Sequence, residues 1–321
     1  MKFEIWNGTQ SEWDKLIFIS GNVNIYQSYS WGEFSKSSRW KTYRLIEKDK
    51  NNKGLNLTIL LREYPLGVGV VWCQGIKYLD FSEKKNSIQK AIKDVLKIKI
   101  IYLRLRFLDE YTNSSKSKLL DQGWNKCYSN LSNNETLIYN FEKNLLLSKN
   151  WKKNLKRSES SNISISQWQN PNAEIIFDLY KKLEEFKNLK RQFSLFDINQ
   201  LIEKFGKDLI VVIGKNSDGE IISLRGALII KNYALDIFSI STYEGRKKYA
   251  GYGTFWKLLE ICRNRKIKSY DLGGIDKRNN KSVYNFKKGT GAEDYKYLGE
   301  YDWSNFKLFR YIFGLIIYFY I

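Results

Sequence analysis

The sequence predicts a mixed α/β fold with mixed sheets, built as two similar halves. Two observations predict it. Short apolar or alternating runs rich in Val, Ile, Leu and aromatic residues read as strands, and longer stretches between them carry apolar residues at helical spacing. The order strand, turn, strand, strand, helix, strand occurs once in each half, as a repeat of pattern without strong residue identity. A length of 321 residues is enough for two cores. The expected division is a domain over 1–147 and a second over 148–321.

The first half opens with a strand, KFEIW, and a helix around Trp13, Leu16 and Ile17. Residues 27–39 enter a second helix through Ser30, the expected N-cap. Trp31 and Phe34 then point inward, and Lys36, about a turn further on, reaches solvent. Strands follow at 42–47, 55–62 and 68–74, the first two joined by the turn KDKNNKG at 48–54. Residues 84–97 carry Ile88, Ala91, Ile92 and Val95 as a helical stripe. Residues 101–107 alternate as a strand, and 135–141 form the strand that closes this half.

The second half opens on a basic run, SKNWKKNLKRSESSNIS. At helical spacing Trp151 and Leu155 face one way, and most of Lys149, Lys152, Lys153, Lys156 and Arg157 face the other. This is either a phosphate-tracking face for tRNA or a nucleotide, or a solvated connector. Residues 174–189 put Phe177, Tyr180, Leu183 and Phe186 on one helical face, and 198–205 are helical again. Strands at 209–214, 220–230 and 234–241 follow, with a hairpin turn at Asn216-Ser217-Asp218-Gly219. A helix over 254–264 feeds a strand at 269–272, which Gly273-Gly274 ends. A polar loop then leads to Phe286-Lys287-Lys288-Gly289 and an aromatic-alternating strand at 295–301. Two strands flanking a Gly-rich, Lys-bearing loop form a cleft floor where a cation meets an anionic group.

Composition narrows the chemistry. The formal charge of +20 points to nucleic acid, an anionic membrane face or polyphosphate substrates, although a Lys- and Asn-rich coding bias yields the same excess. The chain has no histidine, which removes a His-based triad, a His general base and a His-liganded metal. Cys73, Cys127 and Cys262 match no zinc spacing and read as small buried groups in a reducing compartment. No metal is expected. Residues 1–10 lack a signal-peptide core, so the expected location is the cytoplasm.

Three stretches carry a resemblance. YDLGGID with NFKKGTGAE and YLGEYDW, QSYSWGEFSK at 27–36, and YEGRKKYAGYGTFWKLLEICRNRKIKSYDLGG at 243–274 together resemble, in order, the Fem family of aminoacyltransferases. Those FemA/FemB/FemX-like enzymes move an amino acid from aminoacyl-tRNA to a peptidoglycan precursor. The resemblance implies two tandem GNAT-like acyltransferase domains, a layout that the repeated strand order also matches. The run between Phe186 and Ile198 is too short for the helical-hairpin (coiled-coil) insertion of some members. It implies aminoacyl-tRNA and a cell-wall precursor as partners, with no cofactor. Lys287, after Phe286 in the FK motif, is the implied partner of the oxyanion or of the 3′-terminal phosphate. Lys36, in the WG-x-x-x-K motif with Trp31, is the implied contact for the precursor's phosphates. Arg191 falls where the family often carries an arginine that grips the precursor's anionic groups, and Tyr243 falls near a family position lining the acceptor cleft. Asp271 and Asp276 stand where one carboxylate orients or deprotonates the incoming amine, and Gly273 and Gly274 let backbone approach the ligand.

Lys248, Gly251 and Gly253 resemble the [Q/R]-x-x-G-x-G loop by which GNAT enzymes hold the pyrophosphate of coenzyme A, with Lys in place of the first residue. This keeps a second reading open: an N-acyltransferase using acyl-CoA on an amino sugar of a surface polysaccharide. A third is a non-catalytic RNA- or membrane-binding protein. The apolar tail at 306–321 is too short to span a bilayer alone. It either packs on the core or lies at the inner membrane surface with Lys307 and Arg310 toward head groups.

Overall fold

The computed structural model describes residues 3–37, 40–47, 54–78, 85–187 and 191–320. The turn expected at 48–54 lies, apart from Gly54, outside the described residues. So do residues 38–39, 84, 188–189 and 321 of the segments expected at 27–39, 84–97, 174–189 and 306–321, and the Ala91 side chain. The chain forms two compact units: residues 1–135 with 295–321, and residues 136–294.

The first stretch runs β1 (Phe3–Ile5), α1 (Gln10–Ile19), α2 (Tyr29–Ser37), β2 (Lys41–Glu47), β3 (Asn56–Tyr64), β4 (Val68–Ile76), α3 (Lys85–Leu96), β5 (Ile100–Glu110), α4 (Asn113–Asp121) and β6 (Asn125–Lys126). Helix α1 starts on a reciprocal capping box between Thr9 and Glu12. Helix α2 starts two residues earlier than a Ser30 cap predicts. Ser28 begins it, because its hydroxyl accepts from Trp31 N–H at 3.1 Å and its carbonyl accepts from Gly32 N–H.

The middle of the chain runs β7 (Glu135–Asn140), α5 (Lys149–Ser160), β8 (Ser164–Gln167), α6 (Ala173–Lys187), α7 (Leu195–Phe205), β9 (Leu209–Lys215), β10 (Ile221–Ile230), β11 (Tyr233–Ser241), α8 (Tyr243–Lys247), α9 (Ala250–Asn264), β12 (Ser269–Gly274) and α10 (Lys281–Lys288). The chain then returns to the first unit as β13 (Glu293–Ser304) and α11 (Lys307–Tyr320).

Each unit holds a mixed sheet with the same core pattern. In the first, β2, β3 and β4 are antiparallel, α3 crosses over, and β5 pairs parallel to β4. In the second, β9, β10 and β11 are antiparallel, α9 crosses over, and β12 pairs parallel to β11. Both crossover helices bury one stripe, as α9 does with Phe255, Leu258, Leu259 and Cys262. The mixed α/β class and the doubled layout predicted from the sequence are the observed ones.

The strands that follow the repeats differ from the expectation. The boundary at 147/148 sets residues 135–141 with the first half and the last segment with the second. Instead β7, from Thr136 on, pairs antiparallel with β12 in the second unit, and β13 pairs antiparallel with β5 in the first. Each repeat's parallel strand is thus flanked on its far side by a strand from outside that half of the sequence. Being central, β5 and β12 are buried on both faces.

Candidate active site

β12 lies between β11 and β7, so its polar residues must be satisfied inside the unit. Asp271 is 4% exposed. Its carboxylate accepts from Thr136 Oγ1, from Gly273 N–H at 2.9 Å and from Tyr233 OH at 3.2 Å. These bonds turn the strand end. The register with β7 slips between Asp271 and Gly274, and Gly273 has φ of +74°. A β-carbon at Gly273 would meet ordinary contacts at 3.7 and 3.8 Å, so backbone conformation rather than space requires glycine there.

The stretch expected to be a polar loop is helix α10. Asp276 prepares it: its exposed carboxylate accepts from Arg278 N–H, Asn279 N–H and Asn279 Nδ2, and those bonds hold it below the usual carboxylate range. A carboxylate so engaged is a weak base, and Asp276 caps this turn apart from the buried cluster.

Helix α10 carries Phe286 and Lys287 into the interior. Phe286 packs among Tyr252, Phe255 and Trp151 with centroids at 4.9, 5.7 and 5.9 Å, and its carbonyl accepts from Trp151 Nε1. Lys287 does not lie on a loop; it is 7% exposed. Its Nζ donates to the carbonyl oxygens of Gly273 at 3.0 Å and Gly274 at 2.9 Å. Burial is the main cause that brings its pKa down from 10.5 to about 8. Asp236 and Asp271 pull it back up and Arg225 pushes it further down.

Sequence reading missed three residues of this cluster, Arg225, Asp236 and Tyr270. Arg225 on β10 forms a two-pronged ion pair with Asp236 on β11, at 2.8 and 2.9 Å, with both side chains buried. Tyr270 OH donates to Asp236 Oδ1 at 2.7 Å, and Arg225 lies over the Phe255 ring at 4.4 Å. A signal was present: a lone charge inside each of the apolar runs IISLRGALII and YALDIFSIS.

The other predicted residues fall in separate places. Tyr243 is exposed on a cleft of about 1030 Å³, which Trp168, Asp178, Lys182, Lys215 and Glu244 also line. Arg191 is exposed, with its guanidinium 5.7 Å from the Phe177 ring. Lys149, Lys152, Lys153, Lys156 and Arg157 all lie on the exposed side of α5, whose Ser148 cap leaves Trp151 inward. Lys153, Lys156 and Arg157 line a smaller basic hollow of about 490 Å³ with Lys247 and Tyr249. Arg157 donates to Tyr249 OH at 2.7 Å, and Tyr249 stands in left-handed conformation at the start of α9. Lys248 is paired with Glu244 at 2.8 Å. Gly251 is open, with Ser241 Oγ at 3.9 Å from an added β-carbon; at Gly253 that carbon would stand 2.6 Å from Ser158 Oγ and 2.3 Å from Ile165 Cδ1. Gly253 therefore serves the close packing of α9 on α5 and β8.

In the first unit, Trp31 packs on Tyr26 and Phe34 at 5.0 and 5.3 Å, and its buried Nε1–H has no hydrogen-bond partner among the described residues. Lys36 pairs with Glu33 at 2.8 Å, and Glu33 also pairs with Arg44 at 2.9 Å. The three cysteines are buried and unpaired, and burial pushes their thiols up.

The sequence model of the FemAB family matches residues 198–313, which include β9 to β12, Gly273, Gly274 and Lys287. A search of curated proteins finds no match. Among solved structures, FemX superposes with a TM-score of 0.82 at 14% identity, over 97% of this chain and all of that one. L-PGS from Bacillus licheniformis gives 0.55 at 12% identity, covering 96% and 97% of the two chains. A tandem GNAT protein from the clavulanic acid biosynthesis pathway gives 0.54 at 9% identity, covering 94% and 98%. The sequence pattern of the FemAB family thus covers residues 198–313, and a FemX-like fold with GNAT-related structural neighbours spans nearly the whole chain.

Proposed function

We propose that the protein is an aminoacyltransferase that moves an amino acid from aminoacyl-tRNA to an amine of a peptidoglycan precursor. One observation carries the reading: Lys287, within the matched family region, is held by the Gly273 and Gly274 carbonyls in a site that depresses its pKa to about 8. Near neutral pH it remains a cation, and it is fixed in place.

The reaction asks little covalent chemistry of the protein. The neutral amine nitrogen attacks the ester carbonyl carbon, and an oxyanion develops on the carbonyl oxygen. The bond to the ribose oxygen then breaks, an amide remains, and the amine's proton goes to the departing hydroxyl. The ester is already activated, so alignment and a preorganised positive charge supply the acceleration. A chain without histidine and with three buried thiols fits such chemistry. The basic hollow beside α5 and α9 offers Lys153, Lys156, Arg157 and Lys247 to the phosphates of the donor.

The open Gly251 at the start of α9, next to that hollow, favours a second reading, in which acyl-CoA is the donor. The test supplies the protein with labelled aminoacyl-tRNA or labelled acyl-CoA, each with a precursor bearing a free amine. Transfer from the tRNA ester is expected; transfer from the thioester alone would overturn the first reading.

A further inference from the structure

We infer that the outer face of α11, with the Leu66 tip beside it, is a docking surface for an anionic lipid bilayer. The inference rests on exposure and charge in the first unit and not on the reaction proposed above.

Helix α11 is fixed on one side. Arg310 Nε donates to Asp302 at 2.6 Å, Phe313 stacks on Tyr102 at 5.5 Å, and Gly314 is buried against Tyr128. This docking sets which residues look outward. Leu308, Tyr311, Ile312, Leu315 and Ile316 are between 39% and 58% exposed. At 3.6 residues per turn they span an arc of roughly 140°, an apolar stripe of which Tyr311, at its edge, meets the Tyr128 ring at 6.4 Å. The fold alone does not explain such a face.

The stripe continues past the helix. Tyr64, itself half exposed, touches Phe313 at 6.0 Å and leads into the turn where Leu66 is 90% exposed. Leu66 has φ of +63°, an unusual conformation for a leucine, and projects from the surface. Lys99 packs on the adjoining Gly67, and its carbonyl accepts from Asn305 at the start of α11. The turn, Lys99 and the helix thus form one continuous surface.

Charge selects the occupant. α11 carries no acidic residue; Arg310, expected to face head groups, instead turns inward to Asp302, and the cations left at this edge are Lys307, Lys97 and Lys99, all exposed. The whole chain carries +20, so a second copy would be repelled where an anionic surface is attracted. A projecting leucine beside a convex apolar stripe suits insertion among acyl chains, with the lysines at head-group level. No helix among the described residues is long and apolar enough to cross a membrane, so the contact is at the surface.

The test floats the full chain with vesicles of phosphatidylcholine alone and of phosphatidylcholine mixed with phosphatidylglycerol, with no substrate present. Binding to the mixed vesicles is expected, and it should fall about tenfold without the anionic lipid. The double variant Leu308→Glu/Ile312→Glu should lose roughly tenfold or more of that binding with an unchanged melting temperature. Leu315→Ser/Ile316→Ser serves if the first variant fails to fold. Failure of the parent to float, or apolar variants that float as well as the parent, would overturn the proposal. So would light scattering that shows a parent dimer dispersed by these variants without vesicle binding.

Discussion

Lys287 Nζ donates to the carbonyl oxygen of Gly274 at 2.9 Å, joining the end of α10 to the end of β12 across thirteen residues of chain. The same ammonium reaches the Gly273 carbonyl at 3.0 Å. A buried cation is costly unless polar groups receive it, and here two backbone oxygens, with Asp236 and Asp271 nearby, do so. The contact both fixes the strand end and places a positive charge beside it.

Removing that charge separates its two jobs. Lys287→Met keeps most of the volume and removes the ammonium donor from the Gly273 and Gly274 carbonyls, so unfolding free energy should fall by about 1–3 kcal/mol. Transfer by the folded fraction should fall by roughly 10²–10³-fold if the ammonium meets developing negative charge. Denaturant melts and single-turnover transfer measure the two effects independently. A full rate in the folded variant would remove Lys287 from the chemistry.

The pH dependence carries a definite sign. Lys287 titrates near 8 in the folded protein and at its ordinary 10.5 when unfolded. Between these values the unfolded chain binds more protons, so stability should rise with pH across that window and stay level below it. Activity that depends on the cation should decline above pH about 8. Both trends should be missing from Lys287→Met, and a parent that loses stability between pH 8 and 10.5 through this residue would contradict its depressed pKa.

Much of this was legible in the sequence, for identifiable reasons. Strands such as LIVVIGK and the stripe of α9 announce themselves because burial imposes a period. The Gly273-Gly274 pair and the FK motif marked the right place. Local pattern does not say which neighbour a strand takes, so the separate destinations of β7 and β13 were hidden. KSVYNFKK reads as loop because it is mostly polar, although it forms helix α10. The burial of Lys287 was invisible because lysine is ordinarily exposed, and only the facing carbonyls make an exception. Ser28 and Ser30 are equally good caps by composition, and the turn before the helix decides between them.

Thr136 links β7 to the strand end. Its hydroxyl lies within bonding distance of both Asp271 Oδ1 and the Gly273 carbonyl, and it is fully buried. Thr136→Val is close in shape and removes only the hydroxyl, leaving Asp271 with fewer donors in a dry site. A loss of about 1–3 kcal/mol is expected in urea melts, whereas Thr136→Ser should stay near the parent. Equal stability of the valine and serine variants would show that the hydroxyl does not hold this turn.

The basic face of α5 makes a prediction in salt. If Lys153, Lys156 and Arg157 each meet a phosphate of single-stranded or duplex nucleic acid, replacing all three by Gln should reduce the slope of log K against log salt by about 2–3. Filter binding of tRNA across a salt series reads this directly. An unchanged slope would leave the run as a solvated helix whose cations serve no ligand.

Gly251 and Gly253, two residues apart at the start of α9, should respond oppositely to the same change. A methyl at Gly253 would press on Ser158 and Ile165, between elements that pack closely, so Gly253→Ala should cost about 1–3 kcal/mol through overpacking. A methyl at Gly251 enters open space, and alanine is the better helix former by up to about 1 kcal/mol, so Gly251→Ala should melt at or above the parent. If a phosphate group rests against the backbone at Gly251, that same stable variant should bind donor more weakly. Thermal melts fix the order of stability, and donor titration of Gly251→Ala then decides whether the open glycine faces a ligand or only water.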